Sequence, residues 1–111
     1  MRLLLILCSF FIAAFTVDAS VWCSGKIKGV YITSGGDVVI NGSWRNNWTR
    51  ICNLNAGDVN TVTCSMWASY AATATKENID VTLNYNNGVS SCSAIDTYEN
   101  APTPYYLMLN V

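Results

Sequence analysis

The amino-acid sequence predicts a small, mostly β domain with one helix, an α+β arrangement in which five or six antiparallel strands form a barrel. Three observations carry that expectation. Stretches rich in Ile, Val, Tyr and Thr, bounded by Gly, Asn and Pro turns, lie on both sides of a single alanine-rich segment of helical period. The chain beyond residue 19 is long enough for one modest core and no more. It also carries an even set of four cysteines, the usual framework of a small exported fold.

The first residues set the compartment. Met1-Arg2 precedes the apolar run LLLILCSFFIAAF, and Val17-Asp18-Ala19 supplies the small residues of a signal-peptidase site. Residues 1–19 are therefore expected to be a signal peptide, with 20–111 a single disulfide-stabilised domain that is secreted or periplasmic. A membrane anchor needs roughly 20 apolar residues, and Asp18 arrives before that length. Cys8 lies inside the run behind bulky Leu7, a poor setting for a lipoprotein cysteine. No integral membrane segment is expected after cleavage. Cys23, Cys52, Cys64 and Cys92 remain, and two disulfides follow. Three pairings are open. Cys52 with Cys64 and Cys23 with Cys92 is preferred, since the first closes a short connection and the second ties an amino-terminal strand to a late segment. Four-thiolate zinc binding is disfavoured, because no short CxxC pair is present and the destination is oxidising.

Along the chain, Lys26 to Thr33 reads as a strand, Ser34-Gly35-Gly36-Asp37 as a turn and Val38 to Gly42 as the returning strand. Trp48 to Leu54 alternates, with Trp48, Arg50, Cys52 and Leu54 on one face, and predicts a third strand. Asn55-Ala56-Gly57-Asp58 breaks it. In TVTCSMWASYAATATKEN, Cys64, Trp67, Ala71 and Ala74 recur at steps of three and four, one stripe of a helix. Thr61 or Thr63 is expected to cap its start and Lys76 to complement its end. Trp67 is read as a core aromatic plugging one mouth of the barrel. Ile79, Val81, Leu83 and Tyr85 then alternate with Asp80, Thr82 and Asn84, a half-buried strand. Asn86-Asn87-Gly88 reads as a turn into a short return strand over Val89 to Ile95, and Asp96 to Pro104 as an irregular linker. YYLMLNV alternates again and predicts a closing strand. The helix thus joins the third and fourth strands and covers one end of the barrel. Closure leaves few bare sheet edges in so short a chain. A two-layer antiparallel sheet plus helix fits the same pattern and is the alternative.

Composition narrows the function classes. The formal net charge is −1 and histidine is absent. Lys26 and Lys28 form a pair and not a field, so nucleic acid is not an expected partner. Without histidine, the usual general base and every imidazole-dependent triad are missing. The carboxylates Asp37, Asp58, Asp80, Asp96 and Glu99 are scattered, mostly beside turn residues. The expectation is a protein without catalysis, cofactor or metal.

The segments CSGKIKGVYITSGGDVVI from Cys23 to Ile40, SWRNNWTRICNLN from Ser43 to Asn55, TCSMW from Thr63 to Trp67 and PYYLMLN from Pro104 to Asn110 resemble a group of small exported gammaproteobacterial proteins of unknown function. More distantly, the order of strand, Cys52, loop, Cys64, helix with Trp67 and Tyr70, and strand Ile79 to Tyr85 is similar to the pentamer-forming, glycan-binding B subunits of bacterial toxins, the subtilase-cytotoxin type above all. That resemblance implies an OB-like barrel, the oligonucleotide/oligosaccharide-binding fold, and raises the expectation of glycan binding. The sugar-contacting residues of those subunits do not map onto this chain, and none are carried over.

The residues themselves suggest where binding would occur. The connection from Ser43 to Asn47 is expected to present Trp44, Arg45, Asn46 and Asn47 to solvent, with Arg50 close by on the next strand. A sugar ring stacks on an aromatic face while amides and guanidinium meet its hydroxyls. Arg45 and Arg50 would alternatively hold an acidic group such as a sialic-acid carboxylate. Packing of Trp44 and Trp48, with the arginines lying over the rings, is the plainer reading. The triplets Asn41-Gly42-Ser43 and Asn47-Trp48-Thr49 match a glycosylation pattern by chance in a bacterial setting. Tyr98, Tyr105 and Tyr106 form a second aromatic patch, suited to a loop wall or to an interface in a homo-oligomer. The function expected is glycan or cell-surface recognition. The alternative is a structural or protein-interaction component of the cell envelope, with a protein ligand in place of a glycan.

Overall fold

The computed structural model describes residues 20–86 and 88–111. The expected signal peptide and Asn87 of the expected turn lie outside the described residues. The elements are β1 (Val21–Gly25), β2 (Ile27–Ile32), β3 (Asp37–Gly42), β4 (Asn47–Asn53), α1 (Thr61–Glu77), β5 (Val81–Tyr85), a one-turn 3-10 helix (Cys92–Ala94) and β6 (Tyr106–Leu109). They form a small α+β domain of two three-stranded antiparallel sheets, β2-β3-β4 and β1-β5-β6, with one helix.

This corrects the expected OB-like barrel and its alternative of a single sheet. Among the described residues no ladder joins β4 to β6, so the strands do not close. The outer edge of β4 is met instead by one residue of the proline-bearing segment: the Tyr98 N–H donates to the Trp48 carbonyl and the Arg50 N–H donates to the Tyr98 carbonyl. A single parallel bridge, Thr49 to Tyr98, is all that segment supplies. Pro102 and Pro104 have no amide donor to extend it. The strand predicted from Lys26 is also divided. Ser43 takes both backbone groups of Lys26, its N–H donating to the Lys26 carbonyl and its hydroxyl accepting from the Lys26 N–H. Lys26 is thus the joint at which the chain passes from one sheet to the other.

The β2–β3 hairpin follows its turn chemistry. Gly36 adopts φ 95°, a left-handed conformation open to glycine, and a Cβ there would lie 2.7 Å from the Asn55 amide nitrogen. In β4 the predicted alternation breaks at a bulge. Val38 pairs with Cys52 and Val39 with Arg50, which leaves Ile51 as the extra residue. Ile51 and Cys52 are consequently both buried.

Helix α1 buries Cys64, Trp67, Ala71 and Ala74, the stripe read from the sequence. Its cap is Asn60 and neither Thr61 nor Thr63: the Asn60 side chain accepts from the Thr63 N–H at 2.9 Å. Asn78 closes the other end in the left-handed conformation, with Lys76 in the last turn. The small alanines let α1 lie close to β2. All five residues of β5 are buried, not only the alternate ones. Val81, Leu83 and Tyr85 face the core with Cys23 and Leu107. On the opposite face Thr82 exchanges a hydrogen bond with Ser24 and accepts another from the Asn110 amide.

The disulfides join Cys23 to Cys92 and Cys52 to Cys64, the pairing preferred from the sequence. One ties β1 to the 3-10 turn, the other β4 to the first turn of α1. The return strand expected over Val89 to Ile95 is absent; the 3-10 turn occupies it, and Ile95 enters the core. Its run of serines offers no apolar alternation to hold a ladder. Among the described residues no helix is long and apolar enough to cross a membrane.

Candidate functional site

The five residues predicted to bind ligand are engaged within the chain. Trp44 folds back over Gly42, where a Cβ would stand 2.2 Å from the indole Cζ2, and packs against the core. Only glycine at position 42 admits the ring. Arg45 donates to the Thr97 hydroxyl at 2.7 Å. Asn46, at φ 56° in the turn, accepts from the Lys28 ammonium. The Asn47 side chain accepts from the Trp48 N–H, and Arg50 pairs with Asp37 at 3.3 Å. The connection from Ser43 to Asn46 is a tight turn closed by hydrogen bonds from the Arg45 and Asn46 N–H groups to the Gly42 carbonyl. These side chains hold that turn and the β2-β3-β4 sheet. Trp48 lies over Gly29 and stacks at a tilt on Tyr31, with ring centroids 5.0 Å apart.

Arg45 reaches inward towards Tyr85. The phenol is fully buried, and among the described residues neither its hydroxyl nor Nη1 of Arg45 has a hydrogen-bond partner. Burial pushes the Tyr85 phenol well above its ordinary value near 10, against the opposing pull of the Arg45 guanidinium. The folded state therefore holds this proton more tightly than the unfolded chain. The stability it contributes is complete below about pH 10 and is lost as the pH climbs further. Tyr85→Phe removes both the unpartnered hydroxyl and the alkaline loss. The expected result is a variant at least as stable as the parent at neutral pH and flatter in melting temperature above about pH 10. A variant less stable at neutral pH would show that the hydroxyl is satisfied.

An open concavity among the described residues lies elsewhere. A groove of about 430 Å³ runs between the start of α1 and the segment leading into β6. Asp58, Val59 and Asn60 form one rim, where the chain leaves β4 and is turned into the helix by the Asn60 cap. Thr63 and Trp67, one helical turn apart on the same face, form the floor. Asn86 follows β5, and Thr103, Pro104 and Tyr105 make the far wall. The Tyr105 N–H donates to the Asn84 carbonyl at 2.6 Å, which anchors that wall to β5. Trp67 lines the groove yet is only 6% exposed, whereas Tyr105 is 68% exposed.

The chemistry of the groove is that of a flat aromatic ring facing amides, hydroxyls and one carboxylate. Among the described residues Asp58 is the one charged side chain that lines it, and Arg45 and Arg50 are held elsewhere. An acidic ligand finds no cation there, while a neutral polyhydroxy ligand finds donors, acceptors and an apolar ring face. Its volume falls within the range of small-molecule sites. The sequence reads Tyr105 as part of a tyrosine patch and Trp67 as a core aromatic in preference to a ligand contact. The proline pair was the available signal, since an irregular segment bearing aromatics is a common wall for a site. No protein-family model, curated protein or solved structure matches the chain.

Proposed function

We propose that the chain is an exported, non-catalytic binding protein that recognises a neutral glycan in the groove between α1 and Tyr105. The observation that carries this reading is the largely exposed Tyr105 ring set opposite Trp67, among side-chain amides and hydroxyls. A sugar ring presents an apolar face to stack and an equatorial rim of hydroxyls to bond, and the groove offers groups for both. The two disulfides support export, because such bonds persist in oxidising compartments. The groove brings a single carboxylate, whereas hydrolysis of a glycosidic bond ordinarily takes two.

The test is a panel of neutral and acidic glycans followed by tryptophan emission and calorimetry. A neutral glycan is expected to shift emission and bind. Tyr105→Ala is expected to weaken that binding about tenfold, or ~1.4 kcal/mol, without lowering the melting temperature, since the ring is exposed. Folded protein that binds nothing on the panel, or equal affinity in Tyr105→Ala, would defeat the reading.

A further inference from the structure

The outer face of the β1-β5-β6 sheet carries groups that the groove does not use. The ladders place Trp22 and Tyr106 on either side of Asn84, on the face turned away from the core. Trp22 is 58% exposed, and its indole N–H donates to the Tyr106 hydroxyl at 2.9 Å. The two rings are thereby joined across the strand from which Asn84 projects. Asn84 is only 4% exposed, and among the described residues its side-chain Nδ2 has no hydrogen-bond partner. Its neighbours on this face, Ser24 and Thr82, satisfy one another. A buried amide donor with no acceptor has lost its water and gained nothing in return, an arrangement that native folds rarely keep.

The missing partner has a definable chemistry. It is an acceptor and it is neutral, because the strand residues of this face include no cation to balance a carboxylate or phosphate. It sits between two aromatic rings, so an apolar group beside the acceptor is favoured. An acetamido group meets all three requirements, with a carbonyl oxygen for the amide donor and a methyl for the rings. The face adjoins the groove wall at the tyrosine pair, for the Tyr106 ring stands 6.1 Å from the ring of Tyr105.

We propose that this face is a second saccharide subsite, one that takes the acetamido group of an N-acetylated sugar. Trp22 and Tyr106 part, exchanging their mutual hydrogen bond for ligand and water, and Nδ2 of Asn84 donates to the acetamido carbonyl. The Trp22–Tyr106 bond lies at the surface, where such an exchange costs little. The inference rests on the glycan reading of the groove, which would hold the neighbouring unit of the same chain.

The experiment uses the disulfide-intact protein and two probes, oligomers of N-acetylglucosamine and oligomers of glucose, each from one unit to five. The acetylated series is expected to bind about tenfold more tightly, the worth of one net hydrogen bond, with the gain appearing once the chain is long enough to pass Tyr105. Asn84→Leu is expected to abolish that preference while keeping the affinity for glucose oligomers. It should also hold or raise the melting temperature, because an unsatisfied donor is replaced by an apolar group of similar size. Trp22→Ala, at an exposed position, provides a second variant that keeps the fold and loses the same preference. Equal affinity for the two series, or a preference that survives Asn84→Leu, overturns the acetamido subsite and leaves the groove standing. Folded protein that binds neither series overturns both.

Discussion

Replacing Cys23 and Cys92 together by alanine is expected to lower the stability of the folded chain by about 4 kcal/mol. The bond closes a sequence separation of 69 residues, against 12 for Cys52–Cys64. In the chain-entropy account the longer loop restricts the unfolded ensemble more, so the corresponding cost for Cys52 and Cys64 is about 3 kcal/mol. On a total stability of roughly 5–15 kcal/mol, either loss is large. Urea unfolding of the two double variants decides the order. A greater loss at Cys52–Cys64 would show that packing around Cys64, which is fully buried, outweighs loop closure. The Cys23–Cys92 bond has a second consequence. It fastens the segment between β5 and β6 to β1, and that segment carries Asn86, Thr103, Pro104 and Tyr105 of the groove. If the groove binds as proposed, its loss is expected to weaken that binding even where the domain remains folded.

Trp67→Ala is expected to cost about 3–5 kcal/mol, the usual penalty for removing a large buried aromatic. The side chain is 6% exposed, packs with the core cluster and floors the groove. Truncation opens the core to the groove, so stability and ligand affinity should fall together. Trp67→Phe separates the two roles: it retains most of the packing and should cost less than about half as much stability. Calorimetric melting of both variants, followed by titration of whichever remains folded, is the measurement. A Trp67→Ala variant within about 1 kcal/mol of the parent would show that the ring packs far less than its burial implies.

Much of the fold is legible in local pattern. The hairpin of β2 and β3, the third strand and the helical stripe from Cys64 to Ala74 each follow from a periodicity and a turn signal contained within a dozen residues. The misses share a cause. The amino-terminal strand expected to carry Cys23 is Val21 to Gly25, but nothing in VWCSG announces β5 as its partner. Thr82 and Asn84 read as an exposed face, yet neighbouring strands cover them. Ile51 breaks alternation because a bulge accommodates it, and a bulge is visible only in the register of two strands.

The site was harder still to read. Trp44, Arg45, Asn46, Asn47 and Arg50 have the composition of a sugar-binding surface, but composition does not reveal whether a polar group already has a partner. Thr97, Lys28 and Asp37, remote or separate in sequence, each engage one polar atom of Arg45, Asn46 and Arg50 respectively. The groove instead assembles residues from four stretches, the loop before α1, the helix itself, Asn86 after β5 and the segment preceding β6. No spacing along the chain records that meeting.

The sequence by itself determined the helix, the main turns, the four cysteines available for cross-links and the lack of imidazole chemistry, because each is set by residues close in the chain or by composition alone. Tertiary structure decided that the strands divide into two sheets, with no ladder closing them among the described residues, that Arg45 bonds Thr97 and Arg50 pairs with Asp37, and that Trp67 and Tyr105 line one groove. Those outcomes depend on which distant groups satisfy one another's hydrogen bonds and bury one another's surface, a competition settled only when the whole chain is folded.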